Sequence, residues 1–255
     1  MSGKPEALVE MQGVKLSFAE KVILESVDFS LPAQEVLVIM GLSGSGKSTL
    51  LELLLGLLRP DGGSILFSGE QIAGLSRRKL NAVRRRIGMV FQNSALISSM
   101  DVGDNIALPL TELSDKNSEE IRAIVDRNLD LVGLLDAREK LPSELSGGMQ
   151  KRAGLARALS LDPELVLFDE PSAGLDPVNS KIIDDLIIRL RDQRKVTSIV
   201  VTHEMESAFA VATRMAFLHR GKMIFEGTPE EFKNSSNPDV TAFLSPYVAH
   251  LKNKE

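Results

Sequence analysis

The stretch VLVIMGLSGSGKSTLLELLLGLL, residues 36–58, decides how the rest of the chain is read. Val36 to Met40 is apolar without interruption, which marks a strand covered on both faces in a parallel sheet rather than one with a wet side. It runs into a glycine-rich turn, and TLLELLLGLL then reads as a helix, so the segment is a strand, loop, helix unit. Gly41, Leu42, Ser43, Gly44, Ser45, Gly46, Lys47, Ser48 and Thr49 fill the spacing of a phosphate-binding loop in that setting. Glycine is demanded because main-chain N–H groups must approach phosphate oxygens in conformations that a Cβ obstructs, while the helix N-terminus adds partial positive charge. Lys47 is expected to reach the β- and γ-phosphates of ATP, and Ser48 to ligate its Mg²⁺.

Upstream of this unit, residues 7–40 read as short strands, with alternation at Leu8 and Glu10 and at Val27, Phe29 and Leu31, and with turn-formers at Gly13 and at Pro32 and Ala33. Downstream of Gln92 the pattern becomes helical, Ile121, Ile124, Val125, Leu129 and Val132 lining one face. A further helix is expected to start at Ser146, an N-cap residue type, and to carry Ala153, Ala156 and Leu159. Strands return in ELVLFDE (164–170) and TSIVVTH (197–203), separated by a long helix containing Ile182, Leu186 and Leu190, and MAFLHRGKMIFEG reads as a hairpin turning near Gly221. A short helix and a polar tail are expected to follow. The pattern is an α/β core interrupted by a helical insert.

Composition sets limits on partners. With 30 basic against 35 acidic residues, a net charge of -5, the chain has no overall positive field to gather nucleic acid. It has no cysteine, hence no disulfide framework and no thiolate metal site. Lys4, Glu6 and Glu10 interrupt the N-terminal stretch where an export signal needs an apolar run of about 7 to 15 residues. The apolar runs also fall short of the roughly 20 residues that span a bilayer, so work at a membrane would go through a partner.

At the end of ELVLF, a buried strand delivers Asp169 and Glu170 to its carboxyl edge, where open α/β sheets bind ligands. Taken alone, such a pair is more simply the start of a solvated turn. Beside a phosphate loop, Asp169 suits Mg²⁺ through water and Glu170 suits the base that aligns an attacking water.

LSGGMQKR, residues 145–152, closely resembles the signature sequence of ABC (ATP-binding cassette) ATPases. The resemblance covers roughly residues 7–230 and implies a RecA-like P-loop NTPase core with an N-terminal antiparallel β subdomain. It makes 1–255 a single domain, with 1–92 and 162–230 forming β subdomain and core, 93–161 the helical signature subdomain and 231–255 a C-terminal helix or tail. It also implies that Ser146, Gly147 and Gly148 contact the γ-phosphate of ATP held by another copy, so that the working form is a head-to-tail homodimer with ATP in the interface. Gln92 resembles the family's glutamine that senses Mg²⁺ and the attacking water. SAGLD, residues 172–176 ending in Asp176, resembles the loop that crosses to the partner's site, and His203 resembles the switch histidine at the γ-phosphate. Phe18 aligns with the aromatic that stacks on adenine, where the family more often has Tyr. Met149 stands where the commonest signature has Gln; main-chain donors and Ser146 are untouched by that change, so activity is expected to survive it.

FQNSALISSMDVGDNIALPL, residues 91–110, looks most like the Mla- and Mce-type ATPases of bacterial lipid transport. This resemblance implies an integral-membrane, MlaE-like permease docking near Gln92–Asn105, an MCE-domain lipid-binding protein, a STAS-domain subunit in some systems, and a place on the cytoplasmic face of the inner membrane. The alternative is the ATPase of an importer for a small solute such as an amino acid. Methionine importers share an ALPL stretch but usually carry an extra C-terminal domain, which a chain of 255 residues is not expected to hold. A GTP-binding switch would need an Asn-Lys-x-Asp or Thr-Lys-x-Asp element, which the sequence lacks. A soluble ABC protein of translation or DNA repair would need two cassettes or a coiled-coil insertion.

Overall fold

The structure is a computed structural model and describes residues 7–252, with side chains as far as Tyr247. The chain divides into two compact units, Met1–Ser76 with Val200–Glu255, and Arg77–Ile199. The first unit opens with β1 (Ala7–Phe18), β2 (Lys21–Pro32), β3 (Val36–Met40), α1 (Lys47–Leu54), β4 (Gly62–Phe67) and β5 (Glu70–Gln71). The second holds α2 (Arg77–Arg84), β6 (Ile87–Val90), α3 (Val102–Leu113), α4 (Ser118–Leu131), α5 (Gly147–Ala158), β7 (Leu165–Asp169) and α6 (Pro177–Arg194). The chain passes back within β8 (Thr197–Val201), and α7 (Met205–Val211), β9 (Arg214–His219), β10 (Lys222–Gly227), α8 (Pro229–Lys233) and α9 (Pro238–Lys252) complete the first unit.

In the first unit the strand order is β5-β4-β1-β2-β10-β9-β3. β1 pairs antiparallel with both β2 and β4, which gives the antiparallel sheet expected at the N-terminus, and β3 pairs parallel with β9 through Leu37↔Arg214 to Met40↔Phe217. Every residue of β3 is buried, the reason its sequence is unbroken by polar side chains. The expected short strands are instead two 12-residue strands. Gly13 does not end β1. It takes φ +56° in a register shift between Met11 and Val14, and its N–H donates to Asp28 Oδ1 at 2.7 Å. A glycine that reads as a turn in sequence is here absorbed as a bulge, because its partner strand carries the acceptor for the displaced N–H.

The tail is also more ordered than its composition suggests. Pro238–Lys252 is a helix; it buries Val240 and Leu244, sets Phe243 4.7 Å from Phe217 and stacks Tyr247 on Phe209 at 5.5 Å between ring centroids. Pro246 cannot donate to the carbonyl one turn back, and Ser245 Oγ donates to Ala242 O at 3.0 Å instead. The last residues of the expected tail, 253–255, and the N-terminal Lys4 and Glu6 lie outside the described residues.

In the second unit β6 and β7 pair parallel, Ile87↔Leu165 through Val90↔Phe168, with β8 beside β7. The helical stretch follows its apolar spacing: α4 starts in a capping box between Asn117 and Glu120 and buries Val125 and Leu129, with Val132 buried just beyond. Polar ties fix the helices to one another. Ser160 Oγ donates to Ile106 O at 2.8 Å, and Asn128 Nδ2 to Ala156 O at 3.3 Å. No helix among the described residues is long and apolar enough to cross a membrane.

Phe232 on α8 is fully buried, with the rings of Phe209, Phe217 and Phe225 within 6.2 Å centroid to centroid. Phe232→Ala is expected to cost about 3–5 kcal/mol in chemical denaturation, since transfer and cavity terms add.

Candidate functional site

The expected site residues fall into two groups, one in each unit. In the first, β3 delivers Gly41 to Thr49 directly into α1. Two positions there admit nothing but glycine. A Cβ on Gly41 would stand 2.3 Å from Leu218 O, and Gly46, the α1 N-cap, sits at φ +103° with Leu24 Cδ2 2.8 Å from where its Cβ would be. Lys47 is buried, and its Nζ donates to Gly41 O at 2.9 Å and Leu42 O at 3.1 Å, so the ammonium is held inside the curl of the loop. Ser45 Oγ is buried with no hydrogen-bond partner among the described residues. Ser43 and Gly44 are exposed at the loop's crown.

His203 lies just past β8. The preceding Thr202 donates its N–H to Ile39 O at 3.3 Å, which sets His203 at the carboxyl end of β3 where the loop begins. Phe18 ends β1 opposite Lys21, half of its surface in solvent, and the same β2 strand presents Ile23 and Leu24 to Gly46. The first unit therefore gathers the phosphate loop, the histidine and the aromatic.

The second group is a connected cluster. β6 and β7 end side by side, so Gln92, two residues past Val90, and Asp169 and Glu170, just past Phe168, share one carboxyl edge. Glu170 takes φ +48°, a conformation that costs a non-glycine residue about 1–3 kcal/mol and persists only where neighbours enforce it. Lys151 is one enforcer. It is 7% exposed, and its Nζ donates to Glu170 O at 3.2 Å and Ala173 O at 2.7 Å. Sequence reading missed this residue; the available signal was a cation on a helix face otherwise built from Ala153, Gly154 and Ala156. Asp176 caps α6, accepting from the N–H groups of Val178 and Asn179 at 2.9 and 3.0 Å.

Ser146 caps α5 as expected, accepting from Met149 N at 3.3 Å. The two glycines behind it differ. A Cβ on Gly148 would stand 2.5 Å from Asn179 Oδ1, so close approach to α6 forbids one, whereas a Cβ on Gly147 would meet nothing within 4 Å. The loop after Gln92 is built with equal care. Ser94 and Ala95 both take positive φ, and the Arg157 guanidinium donates to both carbonyls, at 3.0 and 2.6 Å. Burial there pushes the Arg157 pKa below its ordinary value. Asn105, fully buried, accepts from Ile97 N at 2.7 Å, and its Nδ2 serves the carbonyls of Ile97, Met100 and Asp101 at 2.9–3.1 Å. The loop so fixed leaves Phe91 and Ile97 exposed.

Among the described residues no cluster of three or more His, Asp or Glu could hold a metal by itself. Within the second unit, the side-chain oxygens of Gln92 and Asp169 on one carboxyl edge are of the kind that suits a hard cation such as Mg²⁺, which is usually bound by one or two carboxylates together with substrate phosphates.

A phosphate loop on a buried strand, an acid pair at the end of another, and a capped glycine pair tied to that acid pair define an ATP-hydrolysing cassette. The ABC transporter family model matches residues 24–173, and the chain belongs to that family as its ATP-binding subunit, an ATPase. It is 42% identical over 237 residues to the intermembrane phospholipid transport system ATP-binding protein MlaF of Haemophilus influenzae, covering 93% of this chain and 90% of that protein. With MlaF of Escherichia coli K12 the identity is 39%, over 93% and 88%. A Mycobacterium leprae protein named "Probable ribonucleotide transport ATP-binding protein mkl" is 44% identical, and the chain spans 68% of its length. Among solved structures, cbiO1 from Clostridium perfringens, part of the transporter complex cbiONQ, superposes with a TM-score of 0.85 at 28% identity, covering 97% of this chain and 99% of that one. The dimeric cassette MJ0796 bound to ADP and Pi gives 0.79 at 31%, covering 86% and 98%.

Lys151→Met is expected to lower unfolding stability by about 1.5–3 kcal/mol, the range for a hydrogen bond to a charged group, with Lys151→Arg retaining most of it. Hydrogen bonds from the Asn179 side chain, then from main-chain N–H groups, hold the Asp176 carboxyl below its ordinary range. Its contribution to the α6 N-terminus is therefore present above the unfolded aspartate pKa of about 3.9 and is lost only as pH falls through the lower folded value. Carbon-detected NMR titration of Asp176 is expected to give a midpoint below that of an unstructured aspartate.

Proposed function

We propose that this chain works as a head-to-tail homodimer whose ATP sites are completed in trans, and that it drives a permease moving phospholipid between bacterial membranes. Phe18 stacks on adenine, the main-chain N–H groups of Gly41–Thr49 cradle the phosphates, and Lys47 exchanges its loop carbonyls for phosphate oxygens. Ser48, Gln92 and Asp169 would hold Mg²⁺, whose charge would offset that of the phosphates. Glu170 accepts a proton from the water that attacks the γ-phosphorus as the bond to the leaving ADP oxygen breaks, and His203 contacts the γ-phosphate. Ser146, Gly147 and Gly148 of the second copy close over that phosphate, with the loop ending in Asp176 alongside.

The observation that carries this reading is Gly147. Neither close packing nor positive φ requires a glycine there, so its smallness leaves room for a group from outside the chain, at a helix N-terminus that favours an anion. The buried, unpartnered hydroxyl of Ser45 in the first unit and the strained, tethered Glu170 in the second each support the same chemistry. Cleavage removes the γ-phosphate contacts and loosens the dimer, turning hydrolysis into motion.

The braced loop from Gln92 to Asn105, with Phe91 and Ile97 in solvent, is where the permease docks, placing the subunit on the cytoplasmic face of the inner membrane. An MCE-domain protein, and in some systems a STAS-domain subunit, would complete the complex. Phospholipid is the favoured cargo because the chain spans about nine tenths of the MlaF proteins but only about two thirds of mkl, whose name points to ribonucleotides. Extraction of the intact complex from membranes is expected to yield bound phospholipid; co-purifying ribonucleotide without lipid would favour the other cargo.

Glu170→Gln is expected to slow ATP turnover in the complete complex by about 10² to 10⁴, the range for a lost general base, while keeping ATP affinity and trapping the dimer. Near-normal turnover would remove Glu170 from the base's role. Lys47→Ala is expected to weaken ATP binding itself, measured by calorimetry.

A further inference from the structure

Residues 76–86, SRRKLNAVRRR, carry six cations, Arg77, Arg78, Lys79, Arg84, Arg85 and Arg86, and the sequence has no acidic residue anywhere from 71 to 100. In a chain of net charge -5 this is a local reversal of sign. The ATPase chemistry makes no use of it. Arg86 has a structural explanation, since its guanidinium donates to both carboxylate oxygens of Glu164 at 2.6 and 2.9 Å. Arg84 and Arg85 stand at the C-terminal end of α2, where the helix dipole favours cations.

Arg77 and Arg78 have no such account. They occupy the first turn of α2, where the dipole disfavours positive charge and where no acid is present to compensate. A helix that breaks the local charge rule without an internal gain points to a use outside the fold. The geometry gives that use a face. Val83 is buried and Leu80 half-buried on the inner side, while Arg77, Arg78, Lys79, Asn81, Ala82 and Arg85 are exposed. Arg78, Asn81, Ala82 and Arg85 follow one another at helical spacing and, with Lys79, line an open groove of about 450 Å³. Neither Arg78 nor Arg85 has an acidic partner among the described residues.

We infer that the outer face of α2 binds the anionic headgroups of the bilayer beside the permease. The inference rests on the reading of this chain as a peripheral subunit of a membrane complex. Two features favour lipid as the occupant. A bilayer that holds the permease presents a negative surface, which attracts clustered Lys and Arg within about a Debye length. The groove also belongs to the same unit as the segment assigned to the permease: α2 leads into β6, a strand of four residues and so about 13 Å long, and the Phe91–Met100 loop leaves the other end of that strand. Arginine forks suit phosphate oxygens, so the headgroup phosphates are the atoms recognised.

The test is flotation of the full-length protein with vesicles of phosphatidylcholine alone or with about 30% phosphatidylglycerol, near physiological salt, where the Debye length is about 8 Å. The unaltered protein should float with the anionic vesicles, remain behind with the neutral ones, and be released by high salt. R78E/R85E should weaken partition at least about 10-fold, R78Q/R85Q by less, and the exposed control K116E hardly at all, with ATPase activity and co-purification with the permease unchanged in each. Equal partition into neutral vesicles, no partition, or an unaffected R78E/R85E protein overturns the inference, as does preferential capture by an RNA probe or an acidic peptide at the same salt. If vesicle binding fails while the permease still co-purifies, the inference falls and the reading beneath it stands. Failure of the unaltered protein to co-purify with any permease overturns that reading, and with it the basis for choosing lipid.

Discussion

Two backbone positions that cannot carry a side chain govern the arrangement of the first unit. Gly41 lies against Leu218 O and Gly46 against Leu24, so the chain curls between β3 and α1 through a space already claimed by β9 and β2. The curl turns successive main-chain groups inward and brings Lys47 Nζ back onto the carbonyls of Gly41 and Leu42. β3 must be buried on both faces to hold that turn rigid, which its sequence of five apolar residues provides. Function and fold thus make the same demand on residues 36–50.

The second unit applies the same logic with different parts. A buried strand, β7, presents Asp169 and then a backbone-strained Glu170, and the strain is borne by hydrogen bonds from Lys151 on the signature helix. α5 is joined to α6 by the contact of Gly148 with Asn179, whose neighbour in the cap is Asp176. The signature, the acid pair and the SAGLD loop therefore form one mechanically connected group. A change of contact at Ser146–Gly148 has a short physical route to the backbone of Glu170, through one lysine side chain.

Much of this was legible in the sequence where a residue type has one dominant physical use. The unbroken VLVIM and LVLF runs are buried strands, Ser146 is an N-cap, and the hairpin turns at Arg220 and Gly221, both with positive φ. Tertiary contacts decide the points that the local sequence misread, left open or passed over. Gly13 passes through β1 because Asp28, fifteen residues away, accepts its displaced N–H. The tail forms a helix across Pro246 because Ser245 meets the orphaned carbonyl and aromatic partners wait on β9 and α7. Lys151 and Asn105 reveal their roles only once the carbonyls they serve are folded beside them.

The central claim is that each ATP site takes its phosphate loop from one copy and its signature from the other. Mixing a Lys47→Ala chain with a Gly147→Val chain, each inactive as a homodimer, tests it directly. If sites are completed in trans, every mixed dimer holds one intact phosphate loop facing one intact signature, and ATPase activity of the complex reappears on mixing. If each chain completes its own site, both partners stay defective, and an inactive mixture in which mixed dimers are shown to form would contradict the account.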